Sequence, residues 1–330
     1  METARLPIPD IHGSTRPLVW VVDSAYTGEL NARIGLADRL GYPYEIIPLP
    51  SADTQSYQNE LSERYARNVH VTGQPLLIIS GTGEETTAEI ADLKNLFQDS
   101  LLNVYLASIL PDEHHPRLKE YDLIASPQLL GTNIVPLVGV PHKLTQEVLA
   151  DAYCKHQDYF KSLPKPIIGL LLGGNTRYCD GFDAAHAKAL AQRVYKIAKP
   201  LEACLVISNS RRTPAEAQTA LLDSLTELNT RFFDWQQTEQ SLYHALLAHA
   251  DLFIVTGDSL SMCSEAAFTG KPVLIDISEA ATECYHRDIV GKLIEYGAAK
   301  RLTDRFEPWS YRSTDPTQAI VQAIRNRIQI

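Results

Sequence analysis

Residues 163–183 read LPKPIIGLLLGGNTRYCDGFD. Pro164 and Pro166 break helical continuity, because each lacks an N–H and its ring blocks the preceding turn. The run PIIGLLL (166–172) is apolar throughout, as a buried strand requires, and Gly173 and Gly174 end it shortly before a segment of helical period. Upstream, LVWVV (18–22), YEIIPL (44–49), LLIIS (76–80), NVYLAS (103–108), DLIAS (122–126) and NIVPLVGV (133–140) read as strands, with helices clearest at 28–41, 85–98 and 145–160. Downstream the pattern restarts. ACLVIS (203–208), RFFD (231–234), LFIV (252–255) and VLID (273–276) alternate with helices near 183–198, 214–228, 239–249, 259–269 and 285–296. Parallel strands need crossover helices, so the alternation predicts two parallel-sheet α/β domains of Rossmann-like type facing a cleft. Their expected bounds are 1–162 and 163–330, with LPKPIIG as the hinge. The segment DPTQAIVQAIRNRI (315–328) predicts a helix with an apolar face at Ala319, Ile320, Ala323, Ile324 and Ile328, one that returns to the first domain.

Composition narrows the function. A formal net charge of -10 argues against a general nucleic-acid binder, whose phosphate contacts need clustered Lys and Arg. The five cysteines are widely spread and include no CxxC pair, which fits reduced thiols in a cytoplasm better than a disulfide frame or zinc site. METARLPIPDIHGST lacks the apolar stretch of a signal peptide, and no run approaches the ~20 residues that span a bilayer. The expectation is a cytoplasmic protein without a transmembrane segment.

Ligands of such folds gather at the carboxyl ends of strands, where the next helix begins. Three loops have that position. In the first, Gly173 and Gly174 let backbone approach an anion, and Asn175, Thr176 and Arg177 add donors; a tight strand-to-helix turn would use the same glycines with no ligand. In the second, VISNSRRTPAEA (206–217), Thr213 and Glu216 fit a capping box around Pro214. Capping leaves Ser210, Arg211 and Arg212 unexplained, and adjacent arginines suit a diphosphate. The third is TGDSLSMCSEAAFTGKPV (256–273). Gly257 opens it, and Asp258, Ser259 or Ser261 serves as a helix cap, but one helix start does not need them all. Glu265 lies farther into the helix beside small residues. A carboxylate there facing the cleft accepts hydrogen bonds from two vicinal ribose hydroxyls; a solvated surface Glu is the ordinary alternative.

Taken together, the GG loop, the basic loop and GDSxSMxSEAxxTGKPV resemble the nucleotide-sugar-binding half of GT-B glycosyltransferases, including the lipid-linked peptidoglycan N-acetylglucosaminyltransferase. In that enzyme a Gly-rich loop meets diphosphate, and a Glu in an SE-x-x-x-x-G-x-P segment, here Ser264, Glu265, Gly270 and Pro272, meets ribose. LLGGN, FDAAHA, SNSRRTPAEA and VTGDSLSMCSEAAFTGKPV, with GELNARIGLADRLG near the N-terminus, are similar to the bacterial relatives of the plant elongated-mitochondria fission factor. These are GT-B-like proteins once labelled nucleoside-diphosphate-sugar epimerases. The chain departs from them in two places. Gly28, Glu29, Leu30, Asn31 and Ala32 stand where G-x-E-N-Q is common, and Asn175, Thr176 and Arg177 stand near a Pro, a Ser and a Lys.

The resemblance implies a GT-B-type glycosyltransferase with a nucleotide-diphosphate sugar as substrate, no separate cofactor, and a lipid-linked or glycan acceptor that would bring it to a membrane surface. An inverting transfer needs a base for the acceptor and positive groups for the leaving diphosphate. Glu29, roughly in place of a histidine of the peptidoglycan enzyme, is the first candidate base, and Asp23 the second; a first-turn acid stabilised by the helix dipole explains Glu29 equally well. Arg211, Arg212 and the 173–177 amides would take the leaving-group charge. No D-x-D pair occurs, which weakens any demand for a divalent ion. Three rivals stand beside this reading. YKIAK (195–199) matches the Tyr-x-x-x-Lys of short-chain epimerases, but the first strand lacks their glycine fingerprint. A sugar-nucleotide 2-epimerase would need several cleft acids and histidines, whereas His114 and His115 sit among prolines. A non-catalytic scaffold would keep the fold and lose the reaction.

Overall fold

A computed structural model describes residues 18–49, 54–72, 76–82, 86–97, 100–108 and 115–328, with the backbone alone for 54 and 68–72. The chain forms two compact units. The first is built from the chain up to Leu137, from Pro141–Lys143 and from the segment beginning at Pro316; the second comprises Val138–Val140 and Leu144–Asp315.

In the first unit, β1 (Val19–Val22), α1 (Thr27–Leu40), β2 (Tyr44–Ile47), α2 (Thr54–Thr72), β3 (Leu76–Gly81), α3 (Thr87–Phe97), β4 (Leu101–Leu106), β5 (Leu123–Ser126) and β6 (Ile134–Pro136) give a parallel six-stranded sheet of order β2-β1-β3-β4-β5-β6. In the second, α4 (Gln146–Lys161) precedes β7 (Ile167–Leu171), α5 (Ala184–Ala198), β8 (Cys204–Ser208), α6 (Ala215–Asp223), β9 (Asn229–Phe233), α7 (Gln240–His249), β10 (Leu252–Thr256), α8 (Leu260–Phe268), β11 (Val273–Asp276), α9 (Cys284–Glu295) and β12 (Ala299–Arg301). Its sheet is parallel too, in the order β12-β11-β10-β7-β8-β9. Pro164 and Pro166 lie inside the second unit, between α4 and β7, so the chain changes unit ahead of α4 rather than after it.

The apolar strand runs are explained by two-sided burial. Ile167 and Leu171 pack into one core with Phe253 and Val255, while Ile168 and Leu170 pack into another with Ile254. Successive side chains of a strand point to opposite faces, so a strand covered on both sides must be apolar at every position. The first unit repeats the arrangement, with Trp20 and Val22 in one core and Val19 and Val21 in the other.

The last helix, α10 (Pro316–Ile328), completes the first unit's second core. It buries Ile320, Val321 and Ile324, whereas Ala319 is exposed; the buried stripe is thus rotated from the expected one toward Val321. Thr317 pins its start. The hydroxyl accepts from His142 N (3.0 Å) and donates to His142 O (3.0 Å), in buried surroundings. Thr317→Val keeps the shape but takes this hydroxyl partner from both backbone groups. It should lower stability by about 1–3 kcal/mol in urea unfolding, and an unchanged midpoint would show that water replaces the hydroxyl.

Candidate functional site

The second sheet reverses direction at its centre. From β7 the chain adds β8 and β9 on one side, then returns to add β10, β11 and β12 on the other. The loops after β7 and β10 therefore diverge at the carboxyl edge, the switch point where open α/β sheets take ligands. These are the loops that carry Gly173–Arg177 and Gly257–Ser261.

At this point Thr256 Oγ1 accepts from Gly173 N (2.8 Å), and Asp258 Oδ2 accepts from Gly174 N (2.7 Å) and pairs with Arg212 Nη2 (3.0 Å). Arg212 reaches over from the loop after β8 and also donates to Gly174 O (3.2 Å), Asn175 O (3.1 Å) and Asp258 O (3.3 Å). Asp258 is buried and Arg212 is on the rim. Burial raises the Asp258 pKa, and the Arg212 charge counters that rise. Arg212 thus ties three strand-end loops together, which sequence reasoning did not assign to it.

This buckle accounts for the glycines. A Cβ on Gly173 would meet Asp258 Oδ2 at 2.1 Å, and one on Gly174 would meet Arg212 O at 2.0 Å. Asn175 N donates to Arg212 O (3.1 Å) and Thr176 N to Cys179 O (2.8 Å), so the amides of Gly173 to Thr176 are all engaged by protein. Asn175 Oδ1 holds Phe182 N (3.1 Å), the Thr176 hydroxyl donates to Glu283, and Arg177 is exposed over the Tyr178 ring. The helix after this loop is closed as well, because Asp183 caps α5 by accepting from His186 N (2.8 Å).

The second loop corrects one expectation. Thr213 is not the cap of α6. Pro214 has that position with no side-chain cap, and the Thr213 hydroxyl turns back to the carbonyls of Leu172 (3.2 Å) and Gly173. Ser210 Oγ donates to Gly173 O (2.8 Å), and Arg211 stays exposed.

At α8 the situation is reversed. Ser259 holds the N-cap position but its side chain caps nothing, and the first backbone bond of the helix is Cys263 N to Ser259 O (3.0 Å). The Ser259 and Ser261 hydroxyls, both partly exposed, have no hydrogen-bond partner among the described residues. The start of α8 is thus an open set of N–H and O–H donors at the positive end of a helix dipole, beside Arg212. Gly257 precedes it, with N–H donating to Asp276 O (2.8 Å). One turn on, the half-buried Glu265 accepts from the Tyr243 hydroxyl of α7 through Oε2 (2.7 Å), its single protein partner among the described residues. Desolvation pushes its pKa up to about 7, partly offset by the tyrosine hydrogen bond. The rest of the signature is structural. Ser264 Oγ accepts from Val140 N (2.9 Å), Gly270 ends α8 at φ 76°, and Lys271 donates to the last carbonyls of α7 at Leu247 (3.2 Å) and Ala248 (2.5 Å).

The first unit has its own switch point, between β1 and β3. The buried Arg33 spans it from α1, donating to Val22 O (2.8 Å), Asp23 O (2.8 Å) and Thr82 O (3.0 Å). Asp23 Oδ1 accepts from Ser24 N (2.7 Å), and the partly exposed Glu29 lies in the first turn of α1. Tyr195 and Lys199 do not form a catalytic pair: the Tyr195 hydroxyl donates to Glu227 (2.7 Å) on the exposed side of α5. His115 is exposed and caps the turn at Pro116–Glu120, while His114 lies outside the described residues. Among the described residues, no three His, Cys, Asp or Glu side chains gather as a metal site, and no helix is long and apolar enough to cross a membrane.

Comparison with known proteins follows the same outline. The fold is α/β and GT-B-like. It is similar to a UDP-GlcNAc 2-epimerase from Methanocaldococcus jannaschii (TM-score 0.59, 11% identity, covering 94% of this chain and 99% of that one) and to MurG of Acinetobacter baumannii (TM-score 0.50, 13% identity, 95% and 92%). At such identities the likeness concerns the fold alone. In sequence, the chain is 26% identical over 298 residues to the mitochondrial fission protein ELM1 of Arabidopsis thaliana, spanning 80% of this chain and 66% of that protein's length. It is 25% identical over 360 residues to an uncharacterised protein of Rickettsia prowazekii (strain Madrid E), spanning 94% and 99%. The model of the Mitochondrial fission ELM1 family matches residues 27–328, which takes in the buckled glycine loop, the basic loop and the open start of α8, and the chain belongs to that family.

Proposed function

We propose that the second unit binds a nucleoside-diphosphate sugar and that the chain is a GT-B-type glycosyltransferase working by metal-independent inverting transfer. The observation that carries the reading is the uncapped start of α8 at the sheet's switch point, with Arg212 on one side and Glu265 one turn beyond. Ser259 and Ser261, their helix-start amides and Arg212 suit a diphosphate. Glu265 suits a ribose diol: a carboxylate has more acceptor sites than the Tyr243 hydroxyl fills. Gly173 and Gly174 contribute by shaping the loop, with Ser210, Thr213 and Asn175 fixing it, while Arg177 and Arg211 supply exposed positive charge nearby. Glu29 is the proposed base and Asp23 the alternative. The acceptor is a hydroxyl of a lipid-linked molecule or glycan.

A pH profile follows from Glu265. With its pKa near 7, the carboxyl is mostly protonated at pH 6 and mostly ionised at pH 8. Ribose hydroxyls donate best to the ionised form, so affinity for a nucleotide sugar, whose phosphates do not titrate in this range, should rise about tenfold from pH 6 to pH 8. Stability has the opposite sign: the folded pKa lies above the unfolded value, so the contribution present below about 4.5 is lost as the pH rises through 7. Glu265→Gln should flatten the binding profile and cost about 1–3 kcal/mol of affinity at pH 8. Calorimetry at both pH values checks this, and a lowered melting temperature with unchanged affinity would make Glu265 a partner of Tyr243 only.

A second reading has its own support. The amides of Gly173–Thr176 are all engaged by protein, so the glycine loop offers a ligand less than its sequence suggests, as in a scaffold that has kept the fold without the reaction. Incubation with a panel of nucleotide sugars separates the readings. Transfer or hydrolysis supports the transferase, interconversion an epimerase, and absence of binding the scaffold.

A further inference from the structure

The chain passes between the two units in two places. Around residues 137–144, Val138–Val140 belongs to the second unit and Pro141–Lys143 to the first, and the chain returns to the first unit after Asp315. Both crossings are fastened to α8 on the second unit's side. At the first, the wholly buried Ser264 accepts through Oγ from Val140 N (2.9 Å). Gly139, at φ 86°, passes so close that a Cβ there would meet Ser264 Oγ at 2.7 Å. At the second, the Tyr311 hydroxyl lies 2.8 Å from Lys271 O and 3.0 Å from Ala267 O, and Ser313 Oγ donates to Phe268 O (2.6 Å). On the first unit's side the crossings are fastened to each other, by the two hydrogen bonds between Thr317 and His142. Little slack separates these fastenings. Only Pro141 stands between Val140 and His142, and Thr314, Asp315 and Pro316 stand between Ser313 and Thr317. Each proline fixes its own φ. Packing of α8 alone does not ask for a serine at 264: a buried hydroxyl needs a partner, and this one finds it in the crossing.

We propose that α8 transmits occupancy of its first turn to both crossings, so that a bound nucleoside diphosphate slows their opening. The inference rests on the nucleotide-sugar reading and adds a conformational consequence to it. Opening breaks the bonds that Val140, Tyr311 and Ser313 make to Ser264 and to the end of α8. All of these are anchored on the helix that would hold the ligand through Ser259 and Ser261. A ligand that prefers the fastened state shifts the balance toward it, and by linkage an opened crossing weakens binding by the same factor. The tight approach of Gly139 passes a small movement of α8 on to the crossing instead of absorbing it.

Hydrogen–deuterium exchange on the full chain, read by mass spectrometry, tests this. The probe is whichever of uridine, guanosine, cytidine and thymidine diphosphates calorimetry shows to bind most tightly. At saturation, exchange should slow at least about fivefold in peptides spanning 138–144 and 311–317 as well as in 256–265. Two variants separate transmission from direct contact with the ligand. Ser264→Ala should bind within about threefold of the parent, and should lose the protection of 138–144 while keeping that of 311–317. Tyr311→Phe combined with Ser313→Ala should do the converse. Protection confined to 256–265 in the unaltered protein, or protection of 138–144 that survives in Ser264→Ala, would overturn the coupling and leave the nucleotide reading standing. If none of the diphosphates binds, both fall together.

Discussion

Asp258→Ala should destabilise the second unit by about 2–4 kcal/mol, in the range for removing one partner of a largely buried ion pair when the other can partly rehydrate. The carboxylate is 3% exposed and receives both Gly174 N and the Arg212 guanidinium. Without it, Gly174 N loses its acceptor and Arg212 loses the anion that fixes it over the loops. Arg212 remains on the rim and recovers some hydration, so the loss should fall below that of a fully enclosed pair. Asp258→Asn keeps an acceptor for Gly174 N and should cost roughly half as much. Urea unfolding of the three proteins gives the comparison. If alanine and asparagine are equally harmful, the ion pair dominates; if asparagine is silent, the Gly174 hydrogen bond does.

This residue also shows what the sequence made legible. The doubly wound architecture was readable because strands buried on both faces are apolar at every position, as at Ile167–Leu171, and such runs stand out between helical periods. β12 was missed because its three residues, Ala299, Lys300 and Arg301, include two exposed cations and carry no apolar signal. α2 was passed over although Tyr57, Leu61 and Tyr65, each four apart, form a buried stripe in an otherwise polar segment. At the site, sequence identified the loops and misassigned some of their internal roles. Thr213 before Pro214 looked like a helix cap by local spacing, yet its hydroxyl is engaged by the glycine loop, far away in sequence. Tyr243 and Glu283 could not be found by spacing, since Tyr243 meets Glu265 from α7 and Glu283 meets Thr176 from just before α9.

Gly174→Ala should be at least as damaging, by about 3 kcal/mol or more, because two independent penalties coincide. The φ of 156° belongs to a region that L side chains rarely adopt, and holding one there costs about 1–3 kcal/mol. The new methyl would also lie 2.0 Å from Arg212 O and 2.5 Å from Thr213 N, which are backbone atoms and cannot swing aside as a side-chain end could. Overpacking of that kind adds about 1–3 kcal/mol. Gly291 supplies the control within the same unit. It lies in α9 with nothing within 4 Å of the position a Cβ would take, so Gly291→Ala should stabilise by about 0.5–1 kcal/mol through helix propensity. One chemical change at two glycines should therefore move the urea midpoint in opposite directions. A Gly174→Ala protein that unfolds like the parent but no longer binds a nucleoside diphosphate would reverse the account of the loop: the glycine would be required for ligand approach, and the backbone of residues 212–213 would be free to yield. Loss of stability instead means that the glycine pair exists first to let Arg212 and Asp258 close over it, leaving anion binding to the start of α8.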